Sequence, residues 1–92
     1  MQWGLVGKMG KNSNVQALVH RMVVALVDQP EKVQVTSADS EQGTNFQVTV
    51  APTDVGKVIG KDGRTARSLR SLLSAFGMKS KARYSLDIVS RP

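Results

Sequence analysis

The sequence predicts a small α+β domain in the order α-β-β-α-α-β, with helices gathered on one face of a small sheet. Three observations carry this. Apolar residues between Val15 and Val27 recur at the helical period. Short runs at 33–35, 46–50 and 84–88 alternate apolar and polar at the strand period. Between the second and third runs lies a glycine-punctuated segment of helical pattern. Ninety-two residues suit one domain. A chain of this size buries only about 60–65% of its unfolded surface, so its core has little to spare.

Residues 1–12 hold three glycines and no periodicity, and are expected to be a disordered lead-in with Met9 as an alternative start and Trp3 as an exposed tail residue. The domain is expected over 13–92. Val15, Leu18, Val19, Met22, Val23, Leu26 and Val27 form one helical stripe. Ser13 with Gln16 matches a capping box, and Pro30 is the stop signal. His20 lies off the stripe, without a neighbouring acid or cysteine, and reads as a surface residue. Val33 and Val35 begin a strand, 37–44 reads as a polar loop, and Phe46, Val48 and Val50 mark a second strand. Pro52 ends that strand, and Thr53 or Asp54 can cap a short helix through Val55, Val58 and Ile59. A longer helix follows from about Arg64 to Phe76, with Ala66, Leu69, Leu72, Leu73 and Phe76 facing inward and Gly77 at its C′ position. Tyr84, Leu86 and Ile88 make the last strand.

The charge is uneven. The first 51 residues carry four basic and four acidic side chains, whereas 52–92 carry nine basic and three acidic ones, so the whole net charge of +6 lies in the second half. A polyanion is the partner such asymmetry suits, nucleic acid before membrane. There is no cysteine, which excludes disulfides, thiolate metal sites and a cysteine nucleophile. No apolar run approaches the roughly 18 residues of a membrane span, and the start of the chain lacks the apolar segment of a secretory signal. The expectation is a soluble cytoplasmic protein without a metal or cofactor.

The chemistry is concentrated in "GKVIGKDGRTARSLRSLL", residues 56–73. A Walker A loop needs G-x-x-x-x-G-K-[ST]. Here three residues separate Gly56 from Gly60, and Asp62 follows Lys61 where a magnesium-holding hydroxyl belongs. The dinucleotide fingerprint G-x-G-x-x-G fails as well, since no glycine stands two before Gly60. What remains is G-x-x-G, Gly60-Lys61-Asp62-Gly63, between two helices. Glycine lets backbone turn sharply and approach a ligand closely. The first N–H groups of the following helix lack intrahelical partners and sit at its positive end, where phosphate oxygens bind. Lys61 adds charge at the tip, Arg64 and Arg67 stay near the turn, and Lys57 stands one turn before Gly60. Arg70 rotates away and is expected to solvate the helix. Lys79, Lys81 and Arg83 alternate as on a strand edge, where charge deters strand addition, with nucleic-acid contact as the alternative reading.

"VIGKDG" after a strand and short helix, followed by a basic amphipathic helix, resembles the K-homology (KH) domain, whose loop clamps about four single-stranded nucleotides. The extra helix and strand before this core resemble the type II arrangement. "VAPTDVGKVIGKDGRTARSLRSLL" is similar to the small bacterial single-domain KH proteins of the KhpA (YlqC) kind. The resemblance spans about 13–89. It implies a three-stranded mixed sheet with helices on one face, and single-stranded RNA as ligand. Gly60 and Gly63 match the family's glycines, Lys61 and Asp62 its variable pair, and Arg64 a residue that reaches phosphate. Val58 and Ile59 match an aliphatic pair that floors the base groove, part of it packed in the core. Asp62 is the departure: an acid at the clamp weakens the local positive field. The family also implies a homodimer, or pairing with a larger KH-containing bacterial protein of the KhpB (Jag) kind, in post-transcriptional regulation or RNA chaperoning.

Phe46, Phe76 and Tyr84 fall on inward faces, which argues against a surface that stacks bases on exposed rings. A second function class stays open, a protein-interaction or dimerisation module with vestigial RNA binding. No paired acids, Ser/His/Asp set or metal-ligand spacing supports an enzyme.

Overall fold

A computed structural model describes residues 11–91. The lead-in, Trp3 and Met9 therefore lie outside the described residues, except that Lys11 and Asn12 form the first turn of a helix. Helix α1 spans Lys11–Leu26, β1 Gln34–Ser40, β2 Gly43–Val50, α2 Val55–Ile59, α3 Arg64–Ser80 and β3 Tyr84–Ser90. The sheet order is β1-β2-β3. The β1–β2 pair is antiparallel, from Gln34 opposite Thr49 to Ser40 opposite Gly43. The β2–β3 pair is parallel, from Thr44 beside Tyr84 to Val50 beside Ser90. The expected α-β-β-α-α-β order with a three-stranded mixed sheet is what the chain forms.

The core is aliphatic. Val19 and Val23 of α1, Val58 of α2 and Leu69 and Leu73 of α3 pack on Phe46, Val48, Val50 and Leu86 of the sheet. The ring of Tyr84 lies 5.5 Å from that of Phe46 at a 55° tilt. Two of the seven stripe residues, Leu18 and Leu26, remain exposed, while Val15, Met22 and Val27 pack partly buried against the core.

Several local expectations are corrected. Ser13 stands inside α1 rather than capping it, and the Gln16 amide donates to Val35 O of β1 at 2.7 Å. Helix α1 stops at Leu26, and Pro30 opens a 3-10 turn, Pro30–Lys32, instead of ending the helix. The polar loop expected over 37–44 is mostly strand, closed by a two-residue turn at Glu41 and Gln42. Residues 36–40 are exposed, so burial imposes no alternation on them. Backbone pairing holds them, with Thr44 Oγ1 donating to Asp39 Oδ1 at 2.8 Å. Gly77 lies within α3, which runs on to Ser80 and ends at Lys81 in the left-handed region (φ 56°, ψ 41°). A Cβ at Gly77 would stand 2.4 Å from Ala82 O, so the glycine is there for the returning chain and not for a turn.

Asp54 does not cap α2 with its side chain. It is buried, and its carboxylate accepts the backbone N–H groups of Asp28 at 3.2 Å and Gln29 at 3.0 Å. Lys57 Nζ lies 3.6 Å from it. Burial works against ionisation here, but the two N–H donors and the Lys57 ammonium outweigh it and hold the carboxyl below its ordinary value. A depressed carboxylate stabilises the fold above its unfolded value and loses that contribution as pH falls through the folded one. Asp54→Asn turns an amide NH₂ toward one of two N–H donors. The expected result is a melting temperature roughly 5–10 °C lower at pH 7, with less further loss than the parent shows below about pH 4. Thermal melts across pH 2.5–7 read both effects, and parallel acid limbs in the two proteins would refute the assignment.

Among the described residues, a side chain donates to a backbone carbonyl of each outer strand. Gln16 meets Val35 O on β1, and Arg70 Nε donates to Leu86 O on β3 at 3.2 Å. Arg70 is therefore a structural anchor rather than a residue that only solvates α3. The basic trio Lys79, Lys81 and Arg83 does not line a strand edge, since β3 begins at Tyr84.

Candidate nucleic-acid interface

The glycine loop is built by backbone geometry that ordinary residues avoid. Gly60 closes α2 with its N–H on Gly56 O at 2.8 Å and turns with φ 77° and ψ 171°, a combination open essentially to glycine alone. Asp62 (φ 56°, ψ 24°) and Gly63 (φ 74°, ψ 15°) are both left-handed. Asp is among the few non-glycine residues that tolerate this region. Position 62 thus has a conformational reason for its acid, apart from charge. The loop is closed by the Gly63 N–H on Gly60 O at 3.1 Å.

The two glycines differ in what they require. A Cβ at Gly60 would sit 2.2 Å from Thr65 Oγ1 and 2.9 Å from Thr65 N, whereas one at Gly63 would meet nothing within 4 Å. Thr65 is the residue that sequence reasoning missed, and no spacing rule pointed to it. Gly63 is also the N-cap of α3, and no side chain among the described residues caps that helix start. The positive end of a 17-residue helix therefore faces outward at the loop.

The cations divide into two groups. The side chains of Lys61 and Arg64 are exposed and make no hydrogen bond or ion pair among the described residues, while the Arg64 N–H donates to Lys61 O. Arg67 is exposed and bends back, its Nη2 3.4 Å from Asp62 O. Lys57 is committed elsewhere: its ammonium lies 3.3 Å from Asp28 and 3.6 Å from Asp54. The hydrogen bond and charge of Asp28, supported by Asp54, raise its pKa. Two carboxylates around one ammonium leave no surplus positive field there, so Lys57 ties α2 to the end of α1. Val58 is fully buried, and Ile59 is 37% exposed beside the loop. Only Ile59 of this pair presents apolar surface to solvent. Gly56 is not a close-packing residue, since a Cβ there would enter open space. Beyond the loop, Arg64, Arg67, Ser68, Ser71 and Leu72 line a shallow depression on the outer face of α3.

Among the described residues, no cluster of His, Cys, Asp or Glu could hold a metal, and no helix is long and apolar enough to cross a membrane. Two helices joined by a G-x-x-G turn, in the type II order around a mixed sheet, define a KH domain. A family model described as KhpA/KhpB, KH domain, matches residues 16–88. The chain is similar to the RNA-binding protein KhpA of Halalkalibacterium halodurans, 44% identical over 82% of this chain and 99% of that protein. It is 49% identical to that of Treponema pallidum, over 80% and 92% of the two chains. With that of Aquifex aeolicus it shares 40% over 84% and 98%. The chain belongs to the KhpA/KhpB family of KH domains.

Proposed function

We propose that this protein binds single-stranded RNA without catalysis, with the loop at Gly60–Gly63 clamping the RNA backbone. The observation that carries the reading is the juxtaposition at one point of a helix start without a side-chain cap, three positive-φ residues and the exposed Lys61 and Arg64 side chains, which have no partner among the described residues. Phosphate oxygens fit the helix start and the cations, and bases lie against Ile59. The names of the KhpA relatives agree with RNA as the ligand. One module contacts few nucleotides, so the working form pairs two KH units, as a homodimer or with a larger KhpB-type partner, which raises affinity through effective concentration. The role that fits is a cytoplasmic post-transcriptional regulator or RNA chaperone. A second reading, a protein-interaction module, draws support from Leu72 and Met78, both exposed on α3.

Salt titration of RNA binding tests the clamp. With about three or four phosphates neutralised, log K falls against log salt with a slope of about −2 to −3. A flat response in fluorescence anisotropy with an unstructured oligonucleotide would overturn the electrostatic clamp and favour the interaction module.

A further inference from the structure

Asp62-Gly63, at the tip of the glycine loop, is the one Asp-Gly pair in the chain. A glycine after aspartate leaves its nitrogen open to the neighbouring carboxyl, because no Cβ shields it. The other four aspartates are held, and each precedes a residue with a side chain. Asp28 pairs with Lys57 at 3.3 Å, and Asp39 accepts from Thr44. Asp54 is buried on two backbone N–H groups, and Asp87 accepts from Asn45 Nδ2 at 3.2 Å. Asp62 differs on both counts. It is exposed, and its carboxylate has no hydrogen bond or ion pair among the described residues.

The loop shields the Asp62–Gly63 peptide but leaves it room to move. The Gly63 N–H is engaged with Gly60 O at 3.1 Å, and ψ 24° at Asp62 turns the Gly63 nitrogen away from Cβ. Closing a five-membered ring requires rotation about that ψ. The rotation breaks the Gly63 bond and the Arg64 N–H bond to Lys61 O. Little else resists it. A Cβ at Gly63 would meet nothing within 4 Å, and Arg67 reaches Asp62 O only at 3.4 Å. The close contact of the loop, Gly60 against Thr65, lies on its other side. The peptide thus opens locally while the domain stays folded.

We infer that Asp62–Gly63 is a site of spontaneous isoaspartate formation that switches the clamp off in an otherwise folded molecule. The Gly63 nitrogen attacks Asp62 Cγ and gives up its proton, and a carboxyl oxygen leaves as water, which closes a succinimide. Water then adds back. At Cγ it restores aspartate. At the main-chain carbonyl carbon it leaves Gly63 joined through Cγ, an isoaspartyl bond. No atom or electron is gained or lost overall. The product has one more methylene in its main chain and carries its free carboxylate on Cα. The turn from Gly60 to Gly63 then no longer closes in register, and Lys61 and the start of α3 lose their common aim. The core is untouched, since no residue from Lys61 to Gly63 is buried. The bond change stands apart from the RNA-binding reading above, and its effect on binding rests on that reading.

The experiment ages the whole protein for several weeks in mildly acidic buffer at physiological temperature, alone and with an unstructured RNA. Isoaspartate is read with an isoaspartyl methyltransferase and a labelled methyl donor, and is placed by electron-transfer fragmentation. Label is expected at Asp62–Gly63. RNA at about 10 times its dissociation constant should lower it about 10-fold, because only the free loop opens. The separated isoaspartyl form still melts as a folded domain and is expected to bind RNA at least about 10-fold more weakly, the loss of one charge-assisted contact. Asp62→Glu, whose ring would need six members, should gain no label and bind RNA equally before and after ageing. Asp62→Asn should reach the same bond faster, with ammonia leaving in place of water. Label spread over the other aspartates, equal label in Asp62→Glu, or an isoaspartyl form that binds RNA as the parent does overturns the inference. If the fresh parent binds no RNA, the clamp reading fails and the switch with it, whereas label at Asp62–Gly63 still establishes the bond change.

Discussion

Lys61→Asp is expected to lower single-stranded RNA affinity by about 100-fold while leaving the fold intact. The substitution removes a charge-assisted contact, which contributes about 1.5–3 kcal/mol, and places a second carboxylate beside Asp62. The Lys61 side chain is exposed and has no partner among the described residues, and its backbone does not occupy the positive-φ region, so aspartate fits there without strain. Stability should change by no more than about 0.5 kcal/mol. The opposite change sharpens the test. Asp62→Asn keeps a residue that accepts φ 56° and removes the acid, so affinity should rise severalfold and the salt slope steepen by about 0.7. Anisotropy titrations at three salt concentrations, with thermal melts as the folding control, separate these outcomes. Unchanged RNA affinity in Lys61→Asp would move the site away from the loop. A partner interaction surviving in that variant would show that the two activities use different surfaces.

Gly60→Ala is expected to cost far more stability than Gly63→Ala, although both are glycines of one motif. At Gly63 the cost is conformational alone: φ is 74° and a methyl group finds open space, so about 1 kcal/mol is expected. At Gly60 two penalties coincide. The backbone occupies a region costing other residues about 1–3 kcal/mol, and the new methyl collides with Thr65. Trimming Thr65 to alanine would not rescue it, because Thr65 Cβ, 2.7 Å away, and Thr65 N, 2.9 Å away, remain. The melting temperature should fall roughly 10–20 °C for Gly60→Ala and about 4–8 °C for Gly63→Ala. Equal falls would mean that the loop opens to relieve the contact.

The elements that the sequence made legible were those whose apolar periodicity burial enforces. Val19 and Val23, Phe46 and Val48, Leu69 and Leu73, and Leu86 were all readable as inward-facing positions, and they form the core. Residues 37–40 were read as loop because both faces of that half-strand are exposed and polar residues carry no alternation there. Gly77 was read as a stop because sequence cannot distinguish a glycine needed for φ from one needed for contact. At the loop, Gly60, Lys61, Gly63 and Arg64 were legible because a motif fixes their spacing. Lys57 belonged to the same charged run by sequence. Its ion pairs with Asp28 and Asp54 depend on how α1 meets α2, which local spacing does not encode. The buried role of Asp54 was hidden for the same reason.

The parallel pairing of β2 with β3 has a consequence for the order of assembly. The hairpin β1–β2 closes through a two-residue turn, whereas Thr44 must find Tyr84, forty residues later. Closing a long loop before its contacts reward it is the slow step in folds of this kind. The glycine loop and both of its flanking helices lie inside that segment. A chain with its hairpin already paired still lacks an anchored Gly60–Gly63 turn, which is fixed only when the last strand docks. On the function proposed above, RNA binding belongs to the completed fold alone.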